Sequence, residues 1–159
     1  MAAGDDALTQ ENDDVLAAAA WLAAQPGIDP GRLVVMGISF GGIMTVLAAA
    51  RSSAFRAAVN FAGAAMTWDA APALRTALLE AARRLEVPIF LIQASNDFNL
   101  APTYALGAEL ARLGKPHETR IYGPCGTTPV EGHRFAMIGI PTWRGDVQRF
   151  LDRWLTQRE

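Results

Sequence analysis

Three residues in this chain have the types and order that nucleophilic catalysis requires. Ser39 stands in the stretch Gly37-Ile-Ser-Phe-Gly-Gly42, between an apolar run, Leu33–Ile38, and an Ala-rich segment from Gly41 to Arg51. A serine on a sharp strand-to-helix turn projects its hydroxyl outward, and small residues are needed where the turn is crowded, hence Gly37 and Gly41. The turn also begins a helix, so its first amides and positive dipole end face the hydroxyl. The backbone N–H of Phe40, the next residue, is the expected oxyanion donor.

Two other readings of the same turn fail on residue type. A Walker A loop needs a lysine after its second glycine, and Ile43 stands there. A dinucleotide-binding turn needs a glycine at the position of Ser39, where a side chain would hold off the pyrophosphate.

A serine nucleophile needs a base, and the base needs an orienting carboxylate. The chain has two histidines. His117 opens an alternating, strand-like segment, whereas His133 lies in a polar loop after it and is the expected base. Asp97 follows the strand-like run Val87–Ser95 by two residues and is the expected acid, although Asn96 and Asn99 would also form an Asx turn with it. Asp69 is a weaker candidate, as it follows an earlier strand and is placed to cap a helix. Glu131 lies too close to His133 in sequence to orient it well. Cys125, the single cysteine, sits between Pro124 and Gly126 with no helix N-terminus to activate it, and reads as a spectator thiol. Trp68, Phe98 and Trp143 are candidates for an apolar substrate pocket, and equally for core packing.

These residues need elements to carry them. Glu11–Ala24 places Val15, Leu16, Ala19, Leu22 and Ala23 on one helical face. Leu33–Ile38 reads as a strand, then Gly41–Arg51 as a helix, Arg56–Gly63 as a strand and Ala71–Leu85 as a helix. Val87–Ser95 is a strand, Pro102–Leu113 a helix, and His117–Gly123 a strand near a sheet edge. Thr142 is the expected N-cap of a last helix with Trp143, Val147, Phe150, Leu151, Trp154 and Leu155 along one stripe. About four strands alternating with about five helices predict an α/β fold with a parallel sheet, whose sites lie at the carboxyl ends of the strands. The whole chain, 1–159, reads as a single domain with residues 1–10 flexible.

Composition narrows the function classes. A formal charge of −2 over 159 residues, with Lys and Arg scattered, makes no electrostatic case for nucleic acid or an anionic membrane. The acidic opening lacks the layout of a signal peptide, and no apolar run reaches the roughly 18–20 residues that span a bilayer. One cysteine and no two histidines at ligand spacing leave no metal cluster to predict. The expectation is a cytoplasmic protein without metal or cofactor.

The segments "IDPGRLVVMGISFGG", "VPIFLIQASNDFNLAP" and "IYGPCGTTPVEGHRF" resemble, in that order, the C-terminal two-thirds of a dienelactone hydrolase-like member of the α/β-hydrolase superfamily. The resemblance runs from about Glu11 to the end and implies an esterase-type serine hydrolase, with Ser39 as nucleophile, Asp97 as acid and His133 as base. Dienelactone hydrolases themselves carry cysteine at the nucleophile position, so serine points to the broader esterase and peptidase-like relatives. Arg134 also stands where many relatives have glycine.

Family members have a further N-terminal portion, which supplies strands beside the serine-bearing strand and a second oxyanion N–H. Without it, Leu33–Ile38 becomes an unpaired edge, and a homodimer covering that edge is expected. With one oxyanion donor the expected activity is modest, on short activated esters, with little on amides. Two other readings remain: a weak or inactive domain serving as a binding or oligomerisation module, and a fragment completed by a separate N-terminal portion.

Overall fold

The computed structural model describes residues 3–156. Its centre is a sheet of four parallel strands in the order of the chain: β1 (Leu33–Ile38), β2 (Phe55–Phe61), β3 (Ile89–Ala94) and β4 (His117–Tyr122). The helices are α1 (Ala3–Ala23), α2 (Phe40–Arg51), α3 (Pro72–Arg84), α4 (Ala101–Arg112), α5 (Pro129–His133), α6 (Phe135–Ile138) and α7 (Ile140–Thr156).

Strand order decides which face each helix covers. The sheet is built outward in one direction, and parallel crossovers are right-handed, so α2, α3 and α4 must all lie on the same face. Their buried residues, among them Val46, Ala48, Leu78, Ala81, Leu106 and Leu110, share one core cluster with Ala58, Ile89 and Leu91. The opposite face is left for the C-terminal helices. There Phe135, Val147 and Phe150 pack with Val59, Phe90 and Ile92.

The alternation along β3 shows this division residue by residue. Ile89 and Leu91 go to one cluster, while Phe90, Ile92 and Ala94 go to the other. Both faces are covered, which is why the run is apolar on both sides except at Gln93. Burying side chains such as Phe90 and Phe150, each 1% exposed, contributes roughly 1.5–3 kcal/mol apiece.

Helix α1 begins at Ala3, eight residues before the expected start at Glu11, so residues 3–10 of the segment expected to be flexible are helical. Residues 1 and 2 lie outside the described residues. The helix is tied to α2 by Asn12, which is 1% exposed and donates from Nδ2 to the Met44 carbonyl at 3.2 Å. Arg51 binds Asn12 and Asp13 in turn.

Among the described residues there are seven α-helices, because the polar segment after β4 folds into the short helices α5 and α6. One further expectation needs correction. Helix α7 starts at Ile140, so Thr142 lies inside it; its amide bonds the Gly139 carbonyl at 2.9 Å. Of the expected stripe from Trp143 to Leu155, Val147 and Phe150 are buried in the core and Trp143, Leu151 and Trp154 pack beside them, while Leu155 is outside that cluster.

Strands β1 and β4 form the two edges. Only part of β1 is buried, and Met36 is 56% exposed. An apolar groove of about 430 Å³ runs between this strand and α1, with Val15, Leu22, Val34 and Phe55 in its wall.

Candidate active site

Ser39, Asp97 and His133 come from three different strand ends. Ser39 follows β1, Asp97 follows β3, and His133 lies beyond β4 at the end of α5. Parallel strands place all their carboxyl ends on one side, so the three meet there. The His133 Nε2 lies 2.8 Å from the Ser39 Oγ, and its Nδ1 lies 2.9 Å from the Asp97 Oδ1. A carboxylate only accepts hydrogen bonds, so Nδ1 carries the proton and Nε2 is left to accept from the serine hydroxyl. The Asp97 side chain is fully buried, and that of His133 is 13% exposed.

The turn at Ser39 has the geometry expected from its glycines, with one difference. Ser39 itself has φ 58° and ψ −115°, a conformation that L-residues rarely adopt and that costs of order 1–3 kcal/mol. Its amide donates to the Phe61 carbonyl at 2.8 Å, which anchors the turn to β2. A β-carbon on Gly37 would lie 2.1 Å from the Gly41 carbonyl oxygen, so no side chain fits there.

The expected crowding at Gly41 is not found, since a β-carbon there meets nothing within 4 Å. The crowded neighbour is Gly42, whose β-carbon would stand 2.9 Å from the Gly63 Cα. Helix α2 packs backbone to backbone on the loop after β2 at this point. Asn60, 2% exposed, completes the junction by donating to the Gly42 carbonyl and accepting from the Gly63 amide.

Phe40 is the first residue of α2, a position whose N–H has no intrahelical acceptor. That places its amide beside Ser39, where the sequence expects an oxyanion donor.

His133 is held by a helical motif in the segment expected to be a polar loop. Helix α5 has a full capping box: the Thr128 side chain accepts from the Glu131 amide while Glu131 reaches back to the Thr128 amide. Glu131 also accepts from the Thr127 N–H at 2.9 Å. These donors, the Thr127 amide foremost, hold the Glu131 carboxyl below its ordinary range. So Glu131 serves the turn that carries His133. The signal was present as Thr-Pro-Val-Glu, with proline in the first turn.

Asn96 ties this helix to the acid loop. Its Nδ2 donates to the carbonyls of Cys125 and Thr128, both at 3.0 Å, and its Oδ1 accepts the Cys125 amide at 2.9 Å. It does more than make the local turn that its type suggests. Gln93, also outside the sequence prediction, donates from Nε2 to the Asp97 Oδ2 at 2.9 Å.

The remaining candidates have other partners. The Asp69 Oδ2 accepts from Asn99 at 2.9 Å, and the His117 Nδ1 meets the Lys115 carbonyl at 2.9 Å. Of the three aromatic candidates, Phe98 lies beside His133, the two rings 5.5 Å apart and edge-on. Trp68 instead is 7% exposed within the core cluster of α2 and α3. Trp143 packs on Phe61 with ring centroids 4.8 Å apart and donates to the Ala136 carbonyl. Packing claims both indoles, Trp68 from the turn between β2 and α3 and Trp143 from the core side of α7.

A parallel sheet with three crossover helices on one face, and a serine turn at the carboxyl end of its first strand, defines an α/β-hydrolase fold. Comparison with known proteins agrees. The prolyl oligopeptidase family model matches residues 3–72, which include the serine turn. An acylaminoacyl peptidase from Pyrococcus horikoshii superposes with a TM-score of 0.73 at 22% identity, covering 93% of this chain and 28% of that one. A Pyrococcus furiosus esterase gives a TM-score of 0.72 at 16% identity, covering 92% and 62%. A Klebsiella pneumoniae protein named as a candidate dienelactone hydrolase gives 0.67 at 21%, covering 95% and 62%. The chain thus spans about a quarter to two-thirds of the length of these structures. No curated protein matches it in sequence. Among the described residues, no helix is long and apolar enough to cross a membrane.

Proposed function

We infer that the chain is a serine hydrolase of the carboxylesterase type, cleaving small, short-chain esters through an acyl-enzyme. The observation that carries this reading is the continuous relay of Ser39 Oγ, His133 Nε2, His133 Nδ1 and Asp97 Oδ1, with both links under 3 Å. Ser39 Oγ attacks the ester carbonyl carbon while its proton passes to His133 Nε2. The carbonyl oxygen takes up the negative charge beside the Phe40 N–H. Collapse expels the alkoxide, which leaves as the alcohol with the proton from His133. Water, deprotonated by the same imidazole, then attacks the acyl-serine and frees the acid. Asp97 holds the imidazole in place and stabilises the imidazolium formed in each half-reaction.

Ester rather than amide cleavage fits a site with one assigned oxyanion donor. Each such donor is worth about 10²–10³ in rate, and amides have the poorer leaving group. The relatives include both an esterase and a peptidase, so the substrate class is decided by assay. Hydrolysis of p-nitrophenyl acetate and butyrate by wild type, lost in Ser39→Ala, together with fluorophosphonate labelling of Ser39, is the expected result. Unchanged turnover in Ser39→Ala would sink the reading. Labelling of Ser39 with cleavage of aminoacyl anilides but not of esters would move it to the peptidases.

The open β1 edge supports self-association as a homodimer. Its backbone groups are unpaired by any other strand among the described residues, and the groove beside it is apolar. A dimer mass by light scattering at micromolar concentration is expected, and a monomer there argues against it. A cytoplasmic location accords with this soluble chemistry and is tested by fractionation.

A further inference from the structure

The run Ile89-Phe-Leu-Ile-Gln-Ala94 contains one polar side chain, in the most buried strand of the sheet. An amide in that place is costly unless its hydrogen-bonding groups are satisfied. Gln93 is 1% exposed and satisfies them in a directed way. Its Nε2 donates to the Asp97 Oδ2 at 2.9 Å and to the Asn99 carbonyl at 2.8 Å. Its Oε1 accepts from the hydroxyl of Thr103, 2% exposed in α4, at 2.7 Å.

Two acceptors on one side and a hydroxyl donor on the other leave the amide a single orientation. Rotating it by half a turn would aim the Gln93 oxygen at a carboxylate and a carbonyl. The two N–H groups therefore clamp both the Asp97 carboxylate and the loop that carries it. The other carboxylate oxygen is held by the Phe98 amide at 2.6 Å and by His133. Asp97 is thus pinned from both oxygens, one toward the base and the other toward the sheet interior.

We propose that Gln93, oriented by Thr103, is a positioning residue that holds the Asp97 carboxylate against His133 Nδ1. This rests on the serine-hydrolase reading for its kinetic consequence, though the geometry it asserts exists without turnover. Gln93 touches no reacting atom and acts through Asp97. The Thr103 hydroxyl contributes by occupying the amide oxygen, so that the N–H groups stay on the acceptors.

The test compares wild type with Gln93→Met, Thr103→Val and Thr103→Ser, each checked for fold by circular dichroism and thermal melting. Two quantities are read. One is kcat and KM on p-nitrophenyl acetate. The other is the far-downfield proton NMR signal of His133 Nδ1–H, recorded without substrate. Gln93→Met is close in volume and removes the polar groups. It is expected to lower kcat by roughly 10- to 100-fold with KM nearly constant, as small misplacement of a catalytic group does. The downfield proton is expected to shift or vanish. Thr103→Val should fall between wild type and Gln93→Met, and Thr103→Ser, which restores the hydroxyl, should return to wild type in both readings.

Gln93→Met with wild-type kcat and an unchanged downfield proton would overturn the proposal. So would Thr103→Ser impaired as far as Thr103→Val, since packing rather than the hydroxyl would then be at work. If wild type turns over no ester or amide, the hydrolase reading fails while the NMR comparison still decides the positioning claim. Should Gln93→Met not fold, the Thr103 pair decides it.

Discussion

Gly132 backs directly onto Asn96, so that a β-carbon at Gly132 would lie 2.7 Å from both the carbonyl carbon and the carbonyl oxygen of Asn96. The residue before His133 and the residue before Asp97 are therefore in van der Waals contact. With the Asn96 side chain bonded to the loop before α5, this contact joins the two loops that carry His133 and Asp97.

That contact makes Gly132 a sensitive position. Gly132→Ala must push α5 away from Asn96, and with it the His133 ring. Turnover of p-nitrophenyl acetate is expected to fall roughly 100-fold for a displacement near 1 Å. The loss should appear mainly in kcat, measured in steady state. A variant with wild-type kcat would show that the two loops move independently.

The three glycines of the serine turn should respond differently to alanine. Gly37→Ala places its methyl 2.1 Å from the Gly41 oxygen and is expected to prevent folding, while Gly42→Ala, against Gly63, should be clearly destabilising. Gly41→Ala meets open space and gains helix propensity, so it should be neutral or up to about 1 kcal/mol more stable. Thermal melting of the three variants separates these outcomes.

Ser39 holds a backbone conformation that suits glycine better than serine. Ser39→Ala removes the hydroxyl and keeps the strain, whereas Ser39→Gly removes both. Although glycine has more unfolded-state entropy to lose, relief of an unfavourable φ of 58° should dominate. Ser39→Gly is expected to melt above Ser39→Ala by about 1 kcal/mol in stability. Equal melting temperatures would mean that the turn is not strained.

Acid stability should depend on Asp146, which accepts from the Tyr122 hydroxyl and pairs with Arg120 and Arg149. The Tyr122 hydrogen bond, followed by the arginine charges, holds its pKa below the ordinary 3.8. A carboxyl depressed on folding stabilises the protein above its unfolded value, and the contribution disappears as pH falls through the folded one. Burial, and then the Asp146 hydrogen bond, raise the Tyr122 hydroxyl well above its usual range, so it stays protonated throughout. The melting temperature should therefore fall as pH drops below about 4, and more gently in Tyr122→Phe, which starts lower. Parallel declines in the two proteins would rule out this account.

Much of the architecture was legible because short-range rules dictate it. Leu33–Ile38 was bounded correctly from an apolar run before a glycine turn, and the Trp143–Trp154 stripe from helical spacing. Ser39 could be picked out for the same reason, since a serine between small residues at a strand-to-helix junction is a local pattern. Helix α5 was missed although its Thr128–Glu131 capping box is also local, because a five-residue helix has too few turns to show periodicity. Trp68 and Trp143 could not be assigned from type alone, as an indole suits a pocket wall and a core equally well.

The sequence by itself determined the residue types, their order along the chain and the turn that exposes Ser39. All three follow from steric and hydrogen-bonding preferences acting within a few residues. Tertiary structure decided the rest. It brought His133 to a serine 94 residues away and to an aspartate 36 residues away, and it left Asp69 and His117 with other partners. It also chose Gln93 and Asn96 as the residues that hold the loops carrying Asp97 and His133. Such choices depend on strand register and on which helix covers which face, and these are set by packing across the whole sheet.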